Sequence, residues 1–147
     1  FENLILIVQI LKKNNKILQN KEIIIINYFG ALNDYFKYAK SVFIGKSMIE
    51  KLKNDGGQNP IEAAKLRCKI YHGPFVYNFR EIYEILEKNS ISKMIKNYKE
   101  LSDNLMIDLN DPLKKNNKIS SEIENLEQKT LNDTMTLLNN FLHDKTY

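Results

Sequence analysis

With one cysteine, Cys68, the chain can close no internal disulfide and cannot assemble a thiolate zinc site, which fits a reducing compartment. His72 and His143 lie far apart, and neither has a second His or a Cys at ligand spacing, so no metal site is expected. No apolar run approaches the length of a membrane-spanning helix. The opening Leu4 to Leu11 stretch is too short and breaks into Lys12-Lys13-Asn14-Asn15. Arginine is scarce: only Arg67 and Arg80 stand among 22 basic residues, against 18 acidic ones. The net charge of +4 is therefore a diffuse lysine excess, a solvated surface rather than the clustered arginine forks that grip phosphate backbones, and no nucleic-acid role is expected. Charge alone argues no more strongly for an anionic lipid surface.

What is present is enough for one domain with a core: 147 residues, expected as a single unit over 1–147. The chain opens on Phe1 rather than Met with an apolar pattern already running, so it is expected to be a piece of a longer protein, N-terminally incomplete. Phe1, Leu4, Ile5, Val8 and Leu11 lie at helical spacing and predict a first helix. Ile23 to Ile26 is an uninterrupted β-branched run, the pattern of a strand covered on both faces in a parallel sheet. Asn27 to Gly30 turns the chain, and Leu32, Tyr35, Phe36 and Ala39 give a helical stripe. Ser41 to Ile44 is a second strand, followed by a long polar loop from Lys46 to Gln58 with one helical turn near Glu50 to Leu52.

A helix from Asn59 to about Leu66, a strand over Cys68 to His72 stopped by Gly73-Pro74, a helix on Phe79, Ile82, Tyr83 and Leu86, and a weaker strand over Ile91 to Ile95 complete the alternation. Tyr98, Leu101, Leu105 and Leu109 mark a helix ending before Asp111-Pro112. Helical intervals then run from Ile119 to Leu142 with a break near Glu127 to Thr130. The alternation predicts a doubly wound α/β fold with a parallel sheet over 1–95, closed by a helical tail over 96–147.

The chemistry concentrates at Gly56-Gly57-Gln58-Asn59-Pro60-Ile61-Glu62-Ala63-Ala64. Two glycines free the backbone, Asn59 is a preferred N-cap, Pro60 suits the first helical position, and Glu62 falls at N3 of a capping box. A helix start behind a glycine loop turns free N–H groups toward that loop, an arrangement that receives anions. Glu62 can cap the helix, the simpler reading, or accept hydrogen bonds from both hydroxyls of a ribose at the sheet's ligand edge. Asn59 is divided in the same way between capping and touching a phosphate or sugar. Gly45-Lys46-Ser47 has the ending of a phosphate-binding P-loop, but that motif needs a glycine where Lys40 stands, and the P-loop reading is set aside. His72 and Cys68 are expected as packed residues at and before a strand's end, and no serine has a nucleophile's context.

Phe43-Ile44-Gly45-Lys46-Ser47-Met48, then the Gly56 to Ala64 run, then Gly73-Pro74 and Asn78-Phe79, closely resemble the bacterial 3-deoxy-D-manno-octulosonic acid (Kdo) transferases. The resemblance is firm over Ile23 to Glu87. It implies the C-terminal, donor-binding domain of a GT-B glycosyltransferase, with a Rossmann-like parallel sheet. It also implies an activity, moving Kdo from CMP-Kdo to the lipid A precursor at the cytoplasmic face of the bacterial inner membrane, in lipopolysaccharide synthesis, with no cofactor. By that match Asn59 and Glu62 hold the phosphate and ribose of CMP, Gly57 and Gln58 line the loop, Ser47 lies in the donor site, and Gly30 lies near the cytidine. The acceptor domain and its catalytic carboxylate would precede Phe1, so no catalytic residue is expected here and the chain alone is expected to be inactive. Gly30-Ala31-Leu32 stands where the family usually has Gly-Glu-Leu, and the loop from Ser47 to Gly56 is several residues longer than usual.

Overall fold

The computed structural model describes residues 8–13, 22–110, 125, 128–129, 132–133 and 135–140. The expectations at Phe1 to Ile5, Asp111-Pro112, Ile119, Ile123, Leu126, Leu131, Leu142 and His143 lie outside them. The chain divides into two compact units, Phe1–Tyr35 and Phe36–Tyr147.

In the first unit, β1 (Val8–Leu11) pairs in parallel with β2 (Ile23–Ile26), Val8 opposite Ile23 and Leu11 opposite Ile26. The described end of the expected first helix is thus a strand. Four residues satisfy a helical and a strand period almost equally, and Val8 and Ile10 suit a pleated ladder in which the Ile23 to Ile26 backbone supplies partners. The isoleucine run is a strand as expected, but it is not covered on both faces: Ile23 and Ile25 are exposed while Ile24 and Ile26 are half-buried. After the bend at Gly30, whose φ of +86° favours glycine, the Ala31 carbonyl accepts the N–H groups of Asp34 and Tyr35 and opens α1 (Leu32–Phe36). The Tyr28 and Tyr35 hydroxyls meet at 3.3 Å.

The second unit carries β3 (Ser41–Phe43), β4 (Lys69–His72) and β5 (Ser92–Met94), all parallel and in that order. Between them lie α2 (Ile61–Lys65) and α3 (Arg80–Lys88), with α4 (Tyr98–Asn110) after β5. The register sets Val42, Ile70 and Ser92 side by side, and Phe43, Tyr71 and Lys93 in the next row. Because successive side chains alternate faces, Val42, Ile70 and Ile44 pack with Ala63, Ala64, Cys68, Tyr83, Leu86 and Ile91 into the core. The Cys68 thiol faces the Phe36 carbonyl oxygen at 3.2 Å, a packed cysteine as expected. The opposite face meets α4 through polar contacts: Asp108 Oδ2 accepts from Ser41 Oγ at 2.5 Å and from the Tyr71 hydroxyl at 2.7 Å, and Lys93 Nζ donates to Asn104 Oδ1 at 2.9 Å. A parallel sheet with helices on both faces is the doubly wound α/β arrangement expected.

α2 and α3 end alike. Arg67 and Ser90 take left-handed φ values of +61° and +59°, and the next N–H bonds back five residues, Cys68 to Ala63 and Ile91 to Leu86. Each cap drops the chain straight into the next strand. α4 is helical through Asn110, and the stop expected at Asp111 lies outside the described residues. Gln128 and Lys129, inside the expected break, are helical, as are residues 135–140.

Candidate functional site

The site is built at the carboxyl ends of β3 and β4. Beyond β3, Ser47 is fully buried, and its hydroxyl donates to the Ile44 carbonyl at 2.6 Å while accepting the Gly73 N–H at 2.8 Å. Its own carbonyl takes the Phe75 N–H at 2.9 Å. Gly73 has to be glycine, since a Cβ there would run into Met48 and the Ser47 carbonyl. The serine thus latches the loop after β3 to the loop after β4. Its hydroxyl is spent inside the protein, so the structure gives the Ser47 side chain a structural task where the sequence suggested a donor contact.

His72, the last residue of β4, is buried, with Nδ1 at 2.8 Å from the Gly73 carbonyl oxygen and Nε2 at 3.1 Å from Glu87 Oε1. Its ring lies 4.1 Å from that of Tyr83, tilted by 45°. This is the packed, hydrogen-bonded histidine expected. Among the described residues no group of three or more His, Cys, Asp or Glu could hold a metal ion.

The polar loop leads through a 3-10 segment, Glu50–Asp55, into Gly56, whose φ of +67° and ψ of −179° only glycine adopts freely. A Cβ on Gly56 would collide with the Asn78 amide, and one on Gly57 would press on Val76 Cγ1 and the Phe75 carbonyl. Two side chains hold this bare backbone: Asn78 Nδ2 donates to the Gly57 carbonyl at 3.1 Å, and the Tyr83 hydroxyl donates to that of Gln58 at 3.3 Å. Burial pushes the Tyr83 pKa well above the usual tyrosine value, so the hydroxyl keeps the proton it donates.

Asn59 Oδ1 accepts the Ile61 N–H at 2.9 Å, an Asx turn one residue ahead of the helix; the cap position itself is taken by Pro60, not by Asn59 as the sequence suggested, and Ile61 is the first helical residue. The Asn59 Nδ2 has no partner among the described residues. Glu62, expected to close a capping box, does not: its carboxylate is exposed and makes no hydrogen bond or ion pair among the described residues. The physical reason is the local backbone: a capping box needs Asn59 as the cap, with Glu62 accepting the Asn59 N–H, but the helix starts at Ile61 behind Pro60, one residue later than the box requires. α2 is also only five residues long, ended by the left-handed Arg67, so little macrodipole stands behind its first turn. The second unit therefore brings Ser47, Gly57, Gln58, Asn59 and Glu62 to one end of its sheet, with Gln58, Asn59 and Glu62 exposed and the other two buried. Gly30 belongs to the first unit. Sequence reasoning did not assign Asn78 and Tyr83 to this loop. Asn78 stood in the recognised Asn-Phe pair, but nothing in spacing reveals that its amide packs on Gly56.

No protein-family profile matches the chain. It is 28% identical over 136 residues, 88% of its length, to 3-deoxy-D-manno-octulosonic acid transferase of Rickettsia prowazekii (strain Madrid E), and spans 28% of that protein. It is 26% identical over 80 residues, 54% of its length, to the enzyme of the same name from Aquifex aeolicus (strain VF5), and spans 22% of it. Its fold matches the crystal structure of the C-terminal CMP-Kdo binding domain of WaaA from Acinetobacter baumannii with a TM-score of 0.68, at 19% identity, over 84% of this chain and 62% of that one. The resemblance to the Kdo transferases holds. It joins sequence and fold: the Rickettsia Kdo transferase aligns with nearly the whole chain, and the solved neighbour shares the α/β architecture. The chain spans about a quarter of the length of these curated Kdo transferases.

Proposed function

We propose that this chain is the donor-binding part of a Kdo transferase, taking CMP-Kdo at the loop ahead of α2 and serving a reaction that passes Kdo to the lipid A precursor at the cytoplasmic face of the inner membrane. The observation that carries the reading is that the separate stretches resembling the Kdo transferases, Phe43 to Met48, Gly56 to Ala64, Gly73-Pro74 and Asn78-Phe79, interlock at one end of the sheet. In this reading the free Glu62 carboxylate accepts hydrogen bonds from the ribose hydroxyls, and the Asn59 Nδ2 donates to the phosphate. The part of the enzyme that activates the acceptor hydroxyl lies outside this chain, and the residues here bind and orient the donor and steady the departing CMP.

The test is a calorimetric titration of CMP into the intact gene product and its Glu62→Ala variant. Loss of two charge-assisted hydrogen bonds predicts a dissociation constant raised about tenfold or more with the circular dichroism unchanged. Equal affinities would remove Glu62 from the site. A second reading, a non-catalytic remnant that keeps the fold, is favoured by Ala31, a buried methyl where the resemblance leads one to expect a carboxylate. It predicts no CMP binding by the intact product.

A further inference from the structure

The hydrophobic core of the second unit closes without Asn78. The residue is exposed, lies in the 3-10 turn Tyr77–Phe79 ahead of α3, and contributes nothing to the cluster around Ile70 and Leu86. What it does touch is the main chain of the glycine loop, at two successive residues. Its Nδ2 binds the Gly57 carbonyl, and its amide fills the space that a Gly56 side chain would need. Five residues on, Tyr83 reaches the next carbonyl, that of Gln58. Both contacts go to backbone oxygens, so they set the path of the chain independently of the loop's own side chains.

We propose that Asn78 is a positioning residue for the donor, acting with the Tyr83 hydroxyl. Together they pin Gly56 to Asn59 against the segment 75–83 in the conformation that leaves the Asn59 amide and the Glu62 carboxylate outward and unpartnered. This rests on the donor-site reading above. A glycine pair gives the loop many conformations when free, and a ligand that has to order it loses affinity in proportion. Pinning two consecutive carbonyls removes most of that freedom before the ligand arrives. The inner side of the loop is then dry and occupied, with Val76 and Phe75 against Gly57, and only its outer side can meet a nucleotide.

The experiment uses the intact gene product with two variants, Asn78→Ala and Tyr83→Phe, the second keeping the ring that packs on His72. Backbone order parameters of Gly56 to Asn59 are measured by NMR without ligand, CMP is titrated, and thermal unfolding is recorded. In both variants the order parameters should fall from about 0.85 toward 0.6. The CMP dissociation constant should rise about fivefold, the equivalent of one lost hydrogen bond of about 1 kcal/mol. The melting temperature of Asn78→Ala should stay close to that of the parent, which separates positioning from a general loss of structure. A loop equally ordered in both variants overturns the proposal, and so does unchanged CMP affinity beside a loosened loop. A parent protein that holds the loop rigid yet binds no CMP overturns the donor-site reading, and with it the positioning of a donor.

Discussion

Ser47 shows what one hydroxyl does at the ends of two strands. It accepts the N–H of a buried glycine and donates to the carbonyl that ends β3, so replacing it leaves both groups without a partner in a place water does not reach. Ser47→Ala is expected to cost about 1–3 kcal/mol, read as a lower urea midpoint with an unchanged slope. An unaltered midpoint would mean that the Gly73 loop re-forms its bond elsewhere. At the same scale Glu62 reverses its sequence reading. Its position three residues after Asn59 fits a capping box, but a motif states only that a carboxylate can reach back, not that it does. The helix starts at Ile61 behind Pro60, one residue later than the box needs, and the Glu62 carboxylate is left without a partner among the described residues.

Among the elements, α4 is attached to the sheet by polar contacts. Asp108 accepts from Ser41 on β3 and Tyr71 on β4, and burial followed by that hydrogen bond pushes the Tyr71 pKa well above its usual value of 10.0. Tyr83, on the other face, is shifted in the same direction by burial. The sign follows from linkage: the folded protein holds these protons more tightly than the unfolded chain. Their stabilisation is therefore complete below pH ~10 and declines as the pH rises above it, where the unfolded tyrosines ionise first. Denaturation midpoints should accordingly drop above pH ~10, with the share of the tyrosinate absorbance that belongs to Tyr71 and Tyr83 appearing together with unfolding rather than before it. Removal of the acceptor in Asp108→Ala should let part of that absorbance appear ahead of unfolding; an unchanged titration would show that the Asp108 bond adds nothing to the shift.

The elements themselves were mostly legible. The strands at Ser41, Lys69 and Ser92 and the helices at Arg80 and Tyr98 fall where composition and period predict them, because each carries a periodic signal, in β4 followed by the clear stop Gly73-Pro74. The exception is Val8 to Leu11, whose partner strand lies fifteen residues on in the register with Ile23 to Ile26. Local spacing carries no information about such a partner, and the backbone hydrogen bonds it offers outweigh a weak helical preference.

For the whole molecule, the expectation rests on the donor-binding reading proposed above and on the chain spanning about a quarter of the length of the curated Kdo transferases it matches. The isolated chain should show no transfer of Kdo from CMP-Kdo to a lipid A precursor, whereas a gene product of more than twice its mass, detected in its own cell, should show it. Turnover by the isolated chain would overturn this, and a native product of this chain's own 17.3 kDa would favour the remnant reading.

The sequence by itself determined the class of the fold and the stretches in which its resemblance to the Kdo transferases concentrates. Alternating apolar patterns and the capped ends of helices are local properties, and so is the Gly56 to Ala64 run that marks the resemblance. Only the tertiary structure decided which of these residues turn inward and which stay exposed. Ser47 turns inward because Gly73 is brought against it from 26 residues away, and Asn78 guards Gly56 because the 3-10 turn ahead of α3 is brought against the glycine loop. Those tasks depend on which distant backbone groups are left needing a partner once the strands have paired, and a period or a motif contains no record of that.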